Sequence, residues 1–173
     1  SQVYNDELVR AHREYPRRFV GLASLPMQAP DLAVKELERI GRQPAIRGVY
    51  LATHVNGKNL DEKELFPVYA KCEELGFQDF WVGEHHSSAY ENIVMPEIVL
   101  GKVLGLTKSV RIGAAPVCLQ YHHPAHVAGR LAFLDHLSHG RLNVCFGPGA
   151  VATDMELFGV DPKDTGARVA EAI

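Results

Sequence analysis

The sequence has few features that would bind a polyanion, span a membrane or form a disulfide framework in an oxidising compartment. Its 18 Lys and Arg are outnumbered by 21 Asp and Glu, so no basic face for a nucleic acid is expected. No apolar run approaches the roughly 20 residues that span a bilayer, and the polar opening SQVYNDELVR is unlike a signal peptide. The three cysteines form no C-x-x-C pair, which argues against a disulfide framework and predicts a cytoplasmic protein.

Short β-rich runs alternate with amphipathic segments along the 173 residues, of which 46% are hydrophobic. Five such β/α steps predict an α/β fold with a parallel sheet, as an open doubly wound sheet or as part of a (β/α)8 barrel. A complete barrel needs roughly 200 to 250 residues, so we expect a partial TIM-type barrel of about five units, unclosed in the monomer. The β-rich runs lie at 19–26, 46–52, 77–84, 110–119 and 141–146.

The intervening helices are predicted from apolar spacing and from prolines. Pro16 should end the opening helix near Tyr15, because the residue before a proline avoids the α region. Helical patterns follow at 30–42, 64–76, 96–108 and 123–138, and Leu32, Val34, Leu37 and Ile40 are expected to form the apolar face of the first of these. The chain begins without Met and ends inside a helical pattern, so we expect it to be a fragment.

The residues suited to chemistry are concentrated in the second half. Residues 78–173 hold seven of the nine histidines. Glu84, His85 and His86 end a β-rich run, and active sites of parallel α/β folds lie at the carboxyl ends of strands. Neighbouring imidazole and carboxylate groups can relay protons near neutral pH. The structural alternative is one histidine bound to the rim of the sheet and the other in solvent.

A second candidate is the Gly-Pro-Gly that closes the run 141–146. Gly147 and Gly149 would let the backbone approach a phosphate or a flavin ring closely, although on these residues alone a plain strand-to-loop turn is the better explanation. His122, His123 and His126 resemble a metal set, but no nearby carboxylate or cysteine completes it, so we predict no metal site and expect His123 to begin a helix.

Four segments together resemble the luciferase-like family of flavin-dependent monooxygenases. They are ELGFQDFWVGEHH, PEIVLGKVLGLTKSVRIGAA, HPAHVAGRLAFLDHLSHGRL and FGVDPKDTGARVAEAI, and the resemblance runs from about residue 74 to the end. It implies a TIM-barrel-like fold, reduced FMN or a related deazaflavin, molecular oxygen and a small-molecule substrate.

The resemblance also implies roles for single residues. His85 would lie beside the reactive part of the flavin and assist proton transfer, and Glu84 would shape the same pocket wall. Ala114, Ala115 and Pro116 would line the flavin, with the Ala115–Pro116 bond in place of the family's non-proline cis peptide. A cis bond before proline costs about 0.5 to 1 kcal/mol against roughly 2.5 to 4 elsewhere, so we expect a cis peptide there.

Two departures predict weak or absent flavin binding by this chain. Pro148 stands where many relatives carry an arginine that pairs with the flavin phosphate, which removes a charge-assisted contact. The family's main phosphate-binding loops also come from later strands, beyond Ile173.

The first part resembles a different family, the amidohydrolase-related decarboxylases of the aminocarboxymuconate-semialdehyde type. The matching segments are YPRRFVGLASLPMQAPDLAVKELER and IRGVYLATHVNGKNLDEKELFPVYAKCEELG. That family is also a (β/α)8 barrel and holds zinc, but none of its ligands can be placed here, and His54, expected in a loop after a strand, is not assigned as one. We therefore predict a decarboxylase-like segment at 1–76 and a monooxygenase-like segment at 77–173, together forming one partial barrel.

Three functions stay open at this point. The chain is a truncated luciferase-like monooxygenase impaired in isolation, a metal-dependent hydrolase or decarboxylase fragment, or a non-catalytic barrel fragment that pairs with another half. Because an unclosed parallel sheet leaves edge strands unpaired, we expect a homo-oligomer. A natural fusion and a product of deletion or assembly are equally compatible with the sequence.

Overall fold

The computed structural model describes residues 1–89 and 93–173. Contacts between residues divide the chain into two compact units, Ser1–Gln78 and Asp79–Ile173. Within the described residues, every helix is too short or too polar to cross a bilayer.

The first unit has a pair of parallel strands, three α-helices and a hairpin whose two strands are each two residues long. Strands β1 and β2 pair in parallel, with Gly21 opposite Ile46. Helix α1 ends just before Tyr15, as Pro16 predicts. In chain order the elements are α1 (Gln2–Glu14), β1 (Gly21–Ser24), α2 (Pro30–Ile40), β2 (Ile46–Tyr50), β3 (His54–Val55), β4 (Lys58–Asn59) and α3 (Phe66–Glu74).

A buried amide joins three elements of this unit. Asn5 of α1 is fully buried; its Nδ2 donates to the Ser24 carbonyl at 2.9 Å and to Glu36 Oε1 at 2.7 Å. Its Oδ1 accepts the Ser24 N–H at 2.9 Å. The amide thus connects α1 to the end of β1 and to α2, beside a small apolar core of Ala23, Ile40, Ala45 and Ile46.

The buried face of α2 differs from the expected one. Leu32 is 55% exposed, and the buried residues of the helix are Ala33, Glu36, Leu37 and Ile40. Glu36 accepts hydrogen bonds from the buried Asn5 amide and from Arg39, so a polar network shares the inward face with the apolar side chains.

His54 lies in a hairpin strand rather than in the expected loop. It pairs with Asn59 across β3 and β4, which are antiparallel. Asn56 and Gly57 form the turn with φ of 51° and 75°, the backbone that an Asn-Gly turn between short strands favours.

The second unit is a three-stranded parallel sheet with helices between its strands. The strand order is β5-β6-β7, so within the described residues the sheet is open and not a closed barrel. Its core is apolar and includes Leu100, Ile112, Val117 and Val127. The elements are β5 (Asp79–Val82), α4 (Pro96–Leu104), β6 (Arg111–Cys118), α5 (Pro124–Ser138), β7 (Leu142–Gly147), α6 (Ala152–Leu157) and α7 (Thr165–Ala172).

The predicted architecture is confirmed in both units. Each of the five β-rich runs contains a parallel strand, and each predicted helix is present, so the fold is α/β with unclosed parallel sheets. His123 Nδ1 accepts the Ala125 N–H at 3.2 Å at the start of α5, as expected for the residue that begins this helix. The short helix α6 was not predicted.

Candidate functional site

The candidate site lies in the second unit, where its parallel strands end. Glu84 to Ser87 follow β5, His122 follows β6, and Gly147 to Gly149 end β7. The carboxyl ends of neighbouring parallel strands lie at one edge of a sheet, so side chains far apart in sequence meet there.

Glu84 is the buried centre of this edge, 2% exposed. Its Oε1 lies 2.7 Å from His86 Nε2 and 2.6 Å from His122 Nε2. Its Oε2 accepts the backbone N–H of Cys118 at 3.0 Å. Both carboxylate oxygens are therefore occupied, and the loop after β5 is tied to the end of β6.

These contacts keep the Glu84 carboxyl ionised. Burial raises its pKa, but hydrogen bonds from His122, His86 and the Cys118 backbone outweigh burial, and the pKa lies below its usual 4.5. Three donors on one buried carboxylate favour the charged form in this way.

Asp154 of α6 holds the other side of the loop after β5. Its Oδ1 accepts the backbone N–H groups of His86 at 3.2 Å and Ser87 at 2.7 Å, and also the Ser87 hydroxyl. His85 Nδ1 is 3.7 Å from Asp154 Oδ2, and the His85 side chain is 29% exposed. Burial raises the pKa of Asp154, but the hydrogen bonds from Ser87 and His86 bring it below its ordinary value.

Aromatic rings fix the position of the His86 imidazole. The Phe158 ring lies edge-on to it at 4.7 Å between ring centroids, and Tyr121 lies edge-on at 5.9 Å. Tyr121 and Phe158 stack on each other at 4.8 Å. The imidazole that bonds Glu84 is thus held by packing as well as by its hydrogen bond.

The strand β6 is irregular where a flavin contact is expected. Its pairing with β7 shifts register between Ala114 and Val117, and the Ala115–Pro116 peptide is cis, which confirms the prediction for that bond. Ala114 is fully buried, whereas Ala115 and Pro116 are partly exposed.

The two glycines at the end of β7 approach side chains of this chain itself. A Cβ on Gly147 would lie 2.8 Å from Pro116 Cβ, and one on Gly149, whose φ is 65°, would lie 2.5 Å from Gln120 Nε2. Gln120 is 5% exposed, and neither polar atom of its amide, nor the Tyr121 hydroxyl, has a hydrogen-bond partner of good geometry within the described residues.

The structure brings together residues that the sequence analysis kept apart. Glu84 and His85 follow β5 directly, and the side chains bonded to Glu84 are His86 and His122. The inference that no carboxylate accompanies His122 was wrong, because Glu84 reaches it from the neighbouring strand end. The sequence patterns did not single out Asp154 or Gln120 as site residues. For His122, its position after the neighbouring strand was a signal that could have placed it beside Glu84.

Comparisons with known proteins support both resemblances. The family model of the luciferase-like monooxygenases matches residues 47–173. Limonene 1,2-monooxygenase of Rhodococcus erythropolis is 43% identical over 100 residues, which are 58% of this chain and 26% of that protein. The 2-amino-3-carboxymuconate-6-semialdehyde decarboxylase of Dictyostelium discoideum is 42% identical over 76 residues, or 44% of this chain and 21% of that one.

A solved structure agrees on the fold. The oxygenating constituent of 3,6-diketocamphane monooxygenase of Pseudomonas putida superposes with a TM-score of 0.59 at 24% identity, over 62% of this chain and 30% of that one. The chain thus spans about a quarter of the length of the curated relatives named above. Because the family model covers well over half of the sequence, the chain belongs to the luciferase-like monooxygenase family.

Proposed function

We propose that the second unit contributes to a site where reduced FMN and molecular oxygen oxidise a small organic molecule. The observation that carries this proposal is the placement of Glu84 and His85 together at the carboxyl end of β5, in a chain that belongs to the family. The 3,6-diketocamphane enzyme is described in complex with FMN, which supports FMN over a deazaflavin.

The described residues fit a flavin ring. The buried Gln120 amide offers two donors and one acceptor, and it has no hydrogen-bond partner of good geometry within the described chain, so a ligand with a polar edge would satisfy it. Ala115 and Pro116 present a partly exposed bend beside it. When bound, reduced FMN supplies the electrons that activate oxygen. The residues proposed to hold it are Ala114, Ala115, Pro116, Gly147, Gly149 and Gln120.

His85 is the residue proposed to move a proton at this site. Its imidazole is partly exposed, and Asp154 Oδ2 lies 3.7 Å from Nδ1. A carboxylate at that distance favours one ring orientation and stabilises the imidazole once it has taken a proton. Glu84 is proposed to build the wall behind it, since both of its oxygens are already bonded.

The first unit is proposed to be structural. We place the boundary between the decarboxylase-like segment 1–76 and the monooxygenase-like segment 77–173 at a helix end followed by a strand start, while the family model already begins at residue 47. Among the described residues, the one convergent group of His, Cys, Asp or Glu able to hold a metal lies in the second unit, which disfavours a decarboxylase centre in the first. The alternative remains a fragment that pairs with another half through the open edge of β7.

The remaining proposals concern the setting of the chain. Cys72, Cys118 and Cys145 are all free thiols, which agrees with a reducing, cytoplasmic location. The open parallel sheets favour a homo-oligomer, which measurement of the mass in solution would test.

Titration with FMN, followed by flavin fluorescence, tests the cofactor proposal. We expect weak binding by the unmodified chain and binding roughly tenfold tighter by Pro148→Arg, because a charge-assisted contact to phosphate contributes about 1.5 kcal/mol or more. Pro148 is exposed, so the arginine has room. Riboflavin, which lacks the phosphate, should bind both chains equally. Absence of FMN binding by both the unmodified chain and Pro148→Arg would contradict the proposal.

Replacing His85 by alanine tests the proton-transfer role. We expect the rate of product formation from limonene or a diketocamphane, with reduced FMN supplied, to fall about 100-fold while FMN affinity is unchanged. His136→Ala, on the exposed face of α5, is the matched control and should behave like the unmodified chain. An unchanged rate in His85→Ala would remove this residue from the chemistry.

A further inference from the structure

Three side-chain atoms of the kind that bind metal ions converge beside the proposed flavin wall. Glu84 Oε1, His86 Nε2 and His122 Nε2 come from the ends of two neighbouring strands, and ligand atoms of the three residues lie within 4.8 Å of one another. Both nitrogens point at the same carboxylate oxygen, at 2.7 and 2.6 Å. The convergence of two imidazoles on one buried oxygen is the starting observation.

The ionised Glu84 carboxylate determines which atoms donate hydrogen bonds at Oε1. An ionised carboxylate only accepts, so each Nε2 facing Oε1 carries a proton. Two N–H groups therefore satisfy one anionic oxygen that a cation could satisfy instead. A metal ion would take the lone pair of each Nε2 once the ring proton has moved to Nδ1, and the negative charge of Glu84 would offset part of the charge of the ion.

Further contacts fix the orientation of these three residues, as the partners of metal ligands do around a metal site. Glu84 Oε2 is fixed by the Cys118 N–H at 3.0 Å, so the carboxylate cannot turn away. The His86 ring is held edge-on by Phe158, and the His122 backbone N–H donates to the Leu119 carbonyl at 3.1 Å. Partners that fix ligand orientation in this way raise metal affinity.

We propose that Glu84, His86 and His122 form a binding site for a divalent transition-metal ion, of which Zn²⁺ is the preferred member. Two imidazole nitrogens and one carboxylate oxygen suit zinc, and the same set suits Fe²⁺. Three protein ligands leave at least one coordination position open to water or to an anionic ligand. The site is independent of flavin binding, and the metal is expected to bind in its absence.

The test uses Zn²⁺ and Co²⁺ added to the purified chain without flavin. Calorimetry should show one ion bound per chain. His122→Ala should weaken binding more than about 100-fold, since it removes a ligand rather than its support. The double variant His126→Ala with His136→Ala removes two exposed histidines of α5 and should bind like the unmodified chain.

A second measurement keeps the proposal testable if His122→Ala does not fold. In the unmodified chain, Zn²⁺ should shift the imidazole ¹⁵N resonances of two histidines, and Co²⁺ should give a visible ligand-field absorption. Folding of every variant is checked by circular dichroism. The proposal fails if the unmodified chain binds no stoichiometric ion, if the two histidine signals do not shift, or if the His126 and His136 double variant loses the ion.

Discussion

Replacing Glu84 by alanine is expected to lower the free energy of unfolding of the second unit by about 3 to 5 kcal/mol. The carboxylate is 2% exposed and accepts from His86, His122 and the Cys118 backbone. Alanine removes this acceptor from the buried Cys118 N–H and from two partly buried imidazoles, and each donor left unpaired carries a desolvation cost. Urea denaturation followed by circular dichroism measures the effect.

Glu84→Gln is the matched variant, because it keeps the shape and an acceptor oxygen but removes the charge. It should be less destabilised than Glu84→Ala. Since the folded pKa of Glu84 is below 4.5, the ionised carboxylate stabilises the fold above that pH, and the stabilisation is lost as the pH falls toward the folded pKa. Below pH 4.5, the Gln variant should therefore lose less stability than the unmodified chain. Equal acid sensitivity in both would contradict this role.

Replacing Asn5 by alanine is expected to lower the free energy of unfolding of the first unit by about 3 kcal/mol. The substitution removes the hydrogen bonds of Asn5 to the Ser24 N–H and carbonyl and takes a donor from the buried Glu36 carboxylate. Thermal unfolding of the two chains gives the difference.

Arg10→Ala is the control on the same helix. Arg10 bonds Glu7 and Glu14 on the exposed side of α1, where ion pairs contribute little. Its loss should change the melting temperature far less than the loss of Asn5. A small effect of Asn5→Ala would show that water replaces the amide at no cost.

Local sequence patterns carried most of the fold prediction. β-rich runs such as IRGVY and amphipathic helices such as PDLAVKELERI are set by near neighbours, so spacing alone located them. The hairpin around Asn56 and Gly57 was missed although its turn signal is present, because two-residue strands have no apolar period. Leu32 was wrongly assigned to the buried face of α2, because apolar periodicity does not predict that a carboxylate such as Glu36 is buried.

The site was predictable only in part, because its contacts are distant along the chain. Glu84 and His85 stand out as a local motif at a strand end. His122 is 38 residues from Glu84, and Asp154 is 67 residues from Ser87, so their partners follow from strand order and helix placement. No composition or spacing rule applied to one sequence indicates the contribution of α6.

The close approach of Gly147 to Pro116 limits which side chains can stand at these two positions in variants of this chain. With Pro116 in place, even a methyl group at position 147 meets the pyrrolidine ring at 2.8 Å. A larger side chain at either position therefore demands a smaller one, or a displaced backbone, at the other. The pair shares one volume between two strands, so Gly147→Ala should be better tolerated when Pro116 is replaced by a smaller residue.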